Sequence, residues 1–354
     1  MGRLVVWMKA HPVASFFLLT LAVVYVLLFP VVILEDSAND QPLLGVLVFY
    51  TARLAVYAPV LVGMWFVRWL QPDRSPVSTS RRRITFWIVW LVAVVVLALE
   101  LGSQRTEIDL GLGALLLLGT PVALIPAFVV SRAFGRVTSV RELLSTLVRP
   151  RGPLGWYLVA VFTLPLSYIA GQVITQFLAG EPLLVNVEFN SEILQATLVT
   201  FAFVFFYAGG INEEGGWRGF AQRLLQKSYS PLTANLVLYL YLVVVHVPND
   251  IVQYADGGYL LFRISLYPFL VILGGWVYNR TQGSILAPAL FHASMNSMNV
   301  LGDSIPGTLA AYVLLITLAV FAIVSDRMWK KLPPHPSAST MIFDHSTPAT
   351  LRRP

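Results

Sequence analysis

No cysteine occurs in this chain, which excludes disulfides, a thiolate metal site and a cysteine nucleophile. Charge is scarce as well: Asp, Glu, Lys and Arg make up 12% of the 354 residues, about half the fraction usual in a soluble domain. Histidine is rarer still, with five copies. What fills the space is apolar, at 57% of residues and a mean hydropathy of +0.73. Lipid is therefore the expected solvent for most of the chain, and the length reads as one polytopic bundle, because the length rule for domain number belongs to soluble proteins. The net charge of +6 fits loops that face an anionic inner leaflet. Basic residues do not alternate with exposed aromatics in any soluble segment, so nucleic acid is not an expected partner.

A helix needs about 20 apolar residues to cross the hydrocarbon core. Ten stretches approach that length, near 12–34, 43–69, 84–101, 111–130, 155–178, 193–211, 232–249, 259–278, 283–300 and 307–326. The first is too long for a signal-peptide core and reads as a membrane span. With the N-terminus inside, all of the 24 Lys and Arg residues except Arg53, Arg105 and Arg263 fall on the cytoplasmic side, as the positive-inside rule requires. Arg53 and Arg263 lie within spans near the outer end, placed to snorkel, and Glu100 reads as interfacial. The predicted architecture is an all-α transmembrane helix bundle of about ten spans, both termini cytoplasmic, in a prokaryotic plasma membrane. It divides into N-terminal helices (1–178), a C-terminal transmembrane core (179–328) and a Pro, Ser and Thr-rich disordered tail (329–354) that contains His335 and His345.

Ionisable groups inside spans are costly and tend to face a polar cavity. Setting aside loops and span ends leaves three islands, all in the C-terminal half. In INEEGGWRGF, Glu214 and Arg218 stand four apart with the acid first, so on a helix they pair. Glu213 points about 100° away and is left for other work; a carboxylate in that setting suits a general base, and the whole island equally suits a salt bridge at a helix end. The prediction that the sixth helix runs on past the glycines to about Gln226 puts Glu213 at a depth His246 can share. His246, in VVVHVPND, reads alone as a packing residue. His292 and Asn296 share one helical face, as donors to a developing oxyanion or as interhelical glue. Glu213, His246 and His292 are also a donor set that a catalytic zinc accepts.

Together the islands resemble a known family. EEGGWR fits EExxxR, His246 fits the histidine of FxxxH, and HASMN fits HxxxN of the CPBP intramembrane proteases, which comprise CAAX proteases and bacteriocin-processing (Abi) proteins. The resemblance covers roughly residues 190–305, and one position departs from it: Leu242 stands where the family usually has an aromatic. The resemblance implies an intramembrane endopeptidase acting on a membrane peptide or protein substrate, lipid-modified in some relatives. Glu213 would activate water with help from His246, His292 and Asn296 would stabilise the oxyanion, and Glu214 and Arg218 would support them. It implies zinc or another divalent metal as cofactor, held by Glu213, His246 and His292, with a metal-free glutamate mechanism as the variant.

Two other classes compete with this reading. A non-catalytic scaffold or immunity protein would keep the fold without needing Glu213. A proton-coupled transporter would use midplane Glu and His as a relay, but such carriers tend to show broken helices in both halves. No HExxH or GxSxG motif is present.

Overall fold

The computed structural model describes residues 2–70, 79–103, 112–183, 191–253, 258–301 and 308–333. Among them there is no strand. In lipid every backbone amide needs a partner within its own segment, so apolar runs rich in Val and Ile become helices despite their modest intrinsic propensity. After a short α1 (Arg3–Ala10) come α2 (Pro12–Asp40), α3 (Pro42–Leu70), α4 (Thr79–Ser103), α5 (Leu112–Val122) and α6 (Leu124–Ser131). A short turn leads to α7 (Thr138–Val148), then α8 (Gly155–Ala179) and α9 (Ser191–Tyr207). The chain re-enters a helix as α10 (Ile211–Gly216), passes through a π-helical turn at Trp217–Gln222 and ends that run as α11 (Arg223–Ser228). The series closes with α12 (Pro231–Gln253), α13 (Gly258–Ser265), α14 (Tyr267–Arg280), α15 (Leu286–Leu301) and α16 (Leu309–Ser325).

Each of the ten predicted stretches falls mainly on helix in its described residues, with a break at 208–210 in the sixth and a later start, at Leu286, in the ninth. Six helical runs are long and apolar enough to cross a membrane by length and composition: Pro12–Leu34, Leu44–Leu70, Ser80–Gly102, Gly155–Ala179, Ser191–Ser228 and Pro231–Asp250. The fourth and eighth stretches are each divided in two, at Ala123 and at Leu266. The tail from 334 onward, with His335 and His345, lies outside the described residues.

α15 is the centre of the C-terminal half, packed against α8, α9, α10 and α14. One continuous core joins this half to the N-terminal helices: Phe16 of α2 and Phe66 of α3 pack on Phe220, and Phe16 also meets the edge of Trp217. The motif-free N-terminal segment thus packs behind the helix that carries the site. Close approach is set by Gly216, where a Cβ would stand 2.5 Å from the Pro59 backbone of α3.

Two charges sit deeper than expected. Arg53 does not snorkel: it donates to the Tyr207 carbonyl at 3.3 Å, with its guanidinium beside the Phe49 and Phe203 rings. Glu100 is not interfacial but buried, accepting from Thr200 Oγ1 at 3.2 Å. A cation and an anion on neighbouring helices attract one another within the bundle, which lowers the cost of keeping both there.

Gly216→Ala should lower stability by about 1–3 kcal/mol through overpacking against Pro59, read as a drop in the thermal midpoint of detergent-purified protein. Gly113→Ala, where nothing lies within 4 Å of the added methyl, should leave the midpoint unchanged or slightly raised.

Candidate active site

The site begins where the helix breaks. α9 stops at Tyr207, and Gly209 takes φ +125°, a conformation that side-chain-bearing residues avoid. A Cβ there would also collide with the His292 imidazole, so only glycine lets α15 bring His292 against this turn. Asn212, completely buried, closes the break: its Oδ1 accepts from the Gly209 amide at 3.0 Å and the Glu213 amide at 2.9 Å. Those are orphan donors of a new helix start, satisfied by a side chain instead of water. Asn296 secures the same turn from α15, donating Nδ2 to the Ala208 carbonyl at 3.1 Å.

The helix then continues to Ser228, as expected, which places Glu213 within the bundle. The Glu214–Arg218 pair forms at 3.0 Å with both side chains buried. Each partner has more work than the pair alone. The other carboxylate oxygen of Glu214 lies 3.0 Å from His292 Nδ1; because an ionised carboxylate only accepts, Nδ1 carries the proton of that bond. Arg218 spends its remaining donors on Gln222 at 2.8 Å, Asn235 of α12 at 3.2 Å and the Val271 carbonyl of α14 at 3.3 Å. Four helical segments are thereby tied to one guanidinium.

Glu213 stays outside that network. Its Oε2 accepts from the indole Nε1 of Trp217 at 3.0 Å. The π-helical turn begins at this tryptophan, and such turns often mark functional sites because they redirect side chains. Glu213, Glu214, Trp217, Leu242, Tyr267 and His292 share a cavity of about 20 Å³, room for a water molecule. His246 and Asn296 do not line it. His246 sits one turn beyond Leu242, its Nδ1 2.7 Å from the Leu242 carbonyl and its ring edge-on to Tyr267 at 6.2 Å between centroids. Leu242 is itself buried and packs at the cavity wall, where the family pattern has an aromatic.

The family resemblance also offers Glu213, His246 and His292 as ligands for a divalent metal, with a metal-free variant beside it. Among the described residues no three His, Asp or Glu side chains converge as a metal-ligating group. His292 holds Nδ1 on Glu214 and His246 holds Nδ1 on the Leu242 carbonyl, which leaves Nε2 of each ring, and Glu213 keeps one oxygen beside the one that accepts from Trp217.

Sequence reasoning missed several residues here. Trp217 and Asn212 flank Glu213 in the quoted motif, but a hydrogen bond from an indole or a backward-folding amide has no spacing rule to betray it. Arg263 was expected to snorkel; it is buried, its guanidinium lies over the Tyr267 ring, and it forms a two-bond ion pair with Asp250 at 2.9 and 3.0 Å. Its partner is 13 residues away across a helix junction, so helical periodicity does not reveal it.

The six long apolar helices mark this as an integral membrane protein. No curated protein matches the chain. Residues 195–298, which hold all three motifs and the cavity they enclose, match the family model of the type II CAAX prenyl endopeptidase Rce1-like proteins, in agreement with the resemblance carried by EEGGWR, His246 and HASMN.

Proposed function

We propose that this protein is an intramembrane endopeptidase that hydrolyses a peptide bond of a membrane-associated peptide or protein with water activated by Glu213. The observation that carries this reading is a water-sized cavity lined by Glu213, Glu214 and His292, in which Glu214 is bound to Arg218 and His292 while Glu213 is held only by an indole. The indole fixes one oxygen of Glu213, and the other accepts no hydrogen bond from the described residues.

In the proposed reaction Glu213 takes a proton from the water as its oxygen attacks the scissile carbonyl. Negative charge then gathers on the carbonyl oxygen, and His292, oriented by Glu214 through Nδ1, stabilises it from Nε2 when both ring nitrogens are protonated. Collapse breaks the C–N bond, and Glu213 returns the proton to the leaving amine, so the carboxylate is regenerated. His246 assists from beyond Leu242, with Nε2 left for the substrate or water because Nδ1 is tied to the backbone. Asn296 holds the Ala208 turn against α15 and so sets the distance between His292 and Glu213. Arg218 holds Glu214 in place through their ion pair. The donors do not converge on a metal, so no step is assigned to one.

The substrate class follows from surroundings and not from a specificity pocket. A site in apolar helices favours a peptide presented at or in the membrane, including a lipid-modified one. The scaffold and transporter readings leave the Trp217–Glu213 bond and the adjoining water-sized cavity without a task.

Three outcomes are expected with purified protein and a quenched fluorogenic peptide library in lipid. Glu213→Gln should reduce cleavage by about 10²- to 10⁴-fold without unfolding the protein, and His246→Ala should also impair it; unchanged cleavage in both would overturn the catalytic assignment, and no cleavage by the wild type would leave the scaffold reading. Trp217→Phe keeps a buried ring and removes one hydrogen bond to a carboxylate, so kcat should fall about 10- to 100-fold with KM little altered. Metal analysis paired with chelation should show cleavage that persists after metal removal; loss on chelation and recovery with zinc would require the three donors to rearrange into a metal site.

A further inference from the structure

A second polar cavity lies far from Glu213, between the start of α4 and the end of α6. It measures about 260 Å³ and is lined by Arg82, Arg83, Arg132, Ser131 and the rings of Phe86, Trp87 and Phe128. Among the described residues no carboxylate lines it. Other arginines within the bundle are matched to acids: Arg218 to Glu214, Arg263 to Asp250 and Arg280 to Asp326. Here three guanidiniums share one cavity, and Arg68, at the end of α3, lies within electrostatic reach of Arg132 as well.

The register explains how they meet. α4 runs antiparallel to the α5–α6 stretch, with Trp90 Nε1 donating to the Thr120 carbonyl of α5 at 3.0 Å and Gly119 of α5 facing the Val94 carbonyl. Followed toward the other end of the pair, that register brings Arg82 and Arg83 level with Arg132. Arg132 is held there by its own helix, with the guanidinium 4.4 Å from the Phe128 ring centroid. Like charges brought together without an acid repel, so the arrangement calls for an anion.

Position selects the kind of anion. Arg82 and Arg83 open a span at Ser80–Gly102, and Arg132 closes the apolar helix Gly119–Phe134, so the cavity sits at the end of two lipid-facing helices. Beyond it each helix exposes an apolar strip to the surroundings, Trp87 and Leu91 on α4 and Leu124 and Phe128 on α6. A charged socket continued by two apolar strips matches a phosphate headgroup with acyl chains. Free phosphate would need the socket only.

We propose that this cavity is a headgroup site for an anionic phospholipid, its phosphate held by Arg82, Arg83 and Arg132 and its chains laid along Trp87, Leu91, Leu124 and Phe128. The test uses the full chain, delipidated in neutral detergent, with phosphatidylglycerol, phosphatidylcholine and inorganic phosphate as separate probes. Native mass spectrometry should show phosphatidylglycerol retained at least tenfold more tightly than phosphatidylcholine, with an affinity that falls as salt is raised. Arg82→Gln/Arg83→Gln/Arg132→Gln should lose that preference. A charge-matched triple at the two ends of the chain, Arg3→Gln/Lys330→Gln/Lys331→Gln, should keep it. Should the first triple fail to fold, the exposed Arg83→Gln alone should weaken phosphatidylglycerol several-fold while the thermal midpoint stays put. Equal retention of the two lipids, loss in both triples, an unaltered Arg83→Gln, or equal protection by millimolar inorganic phosphate would each overturn the proposal.

Discussion

The structure around the site depends on one buried ion pair, Glu214 with Arg218. Taking both charges out of water costs several kcal/mol each, and their attraction offsets that cost only if the remaining donors and acceptors are also satisfied. They are: the carboxylate is shared with His292, and the guanidinium reaches Gln222, Asn235 and the Val271 carbonyl. Because those partners lie on α12, α14 and α15 as well as on the π-helical turn, satisfying the pair also fixes the relative positions of the helices that enclose the cavity. Loss of either partner would strand a charge and release several helices together.

This constraint assigns the two adjacent glutamates different physical roles. Glu214 is locked by charge on one side and imidazole on the other, whereas Glu213 has a neutral indole donor at Oε2. The break before them makes the division geometrically possible. Gly209 removes the side chain that would exclude His292, Asn212 satisfies the new helix start, and Gly216 lets α10 settle on Pro59 of α3. The N-terminal helices therefore support the site from behind, by packing and by the bond from Arg53 to the Tyr207 carbonyl, and none of their described residues lines the cavity.

Much of this was legible in the sequence, and the parts that were not share a cause. Apolar runs of membrane length announced the helices, and i, i+4 spacing announced the Glu214–Arg218 pair, because both are local rules. The continuation of the sixth helix to Ser228 was readable from GFAQRLLQK, which has no helix breaker after Gly219. The φ of Gly209, the indole bond to Glu213, the amide cap from Asn212 and the Arg263–Asp250 pair depend on how segments meet or fold back. For Arg53 and Arg263 the sequence shows a cation near the outer end of a span but not the carbonyl or carboxylate that each one meets. The residue types of Glu213, His246 and His292 were legible as a donor set for zinc, but how far apart the three side chains stand depends on the packing of three helices and has no local signature.

The central claim is that Glu214 holds the structure and Glu213 performs the chemistry. Thermal unfolding and peptide cleavage measured side by side on Glu213→Gln and Glu214→Gln test it most directly. The account predicts that Glu214→Gln loses about 3–5 kcal/mol of stability, since it leaves the buried Arg218 uncompensated, while Glu213→Gln unfolds with the wild-type midpoint and does not cleave. Equal destabilisation by both variants, or cleavage retained in Glu213→Gln, would contradict it.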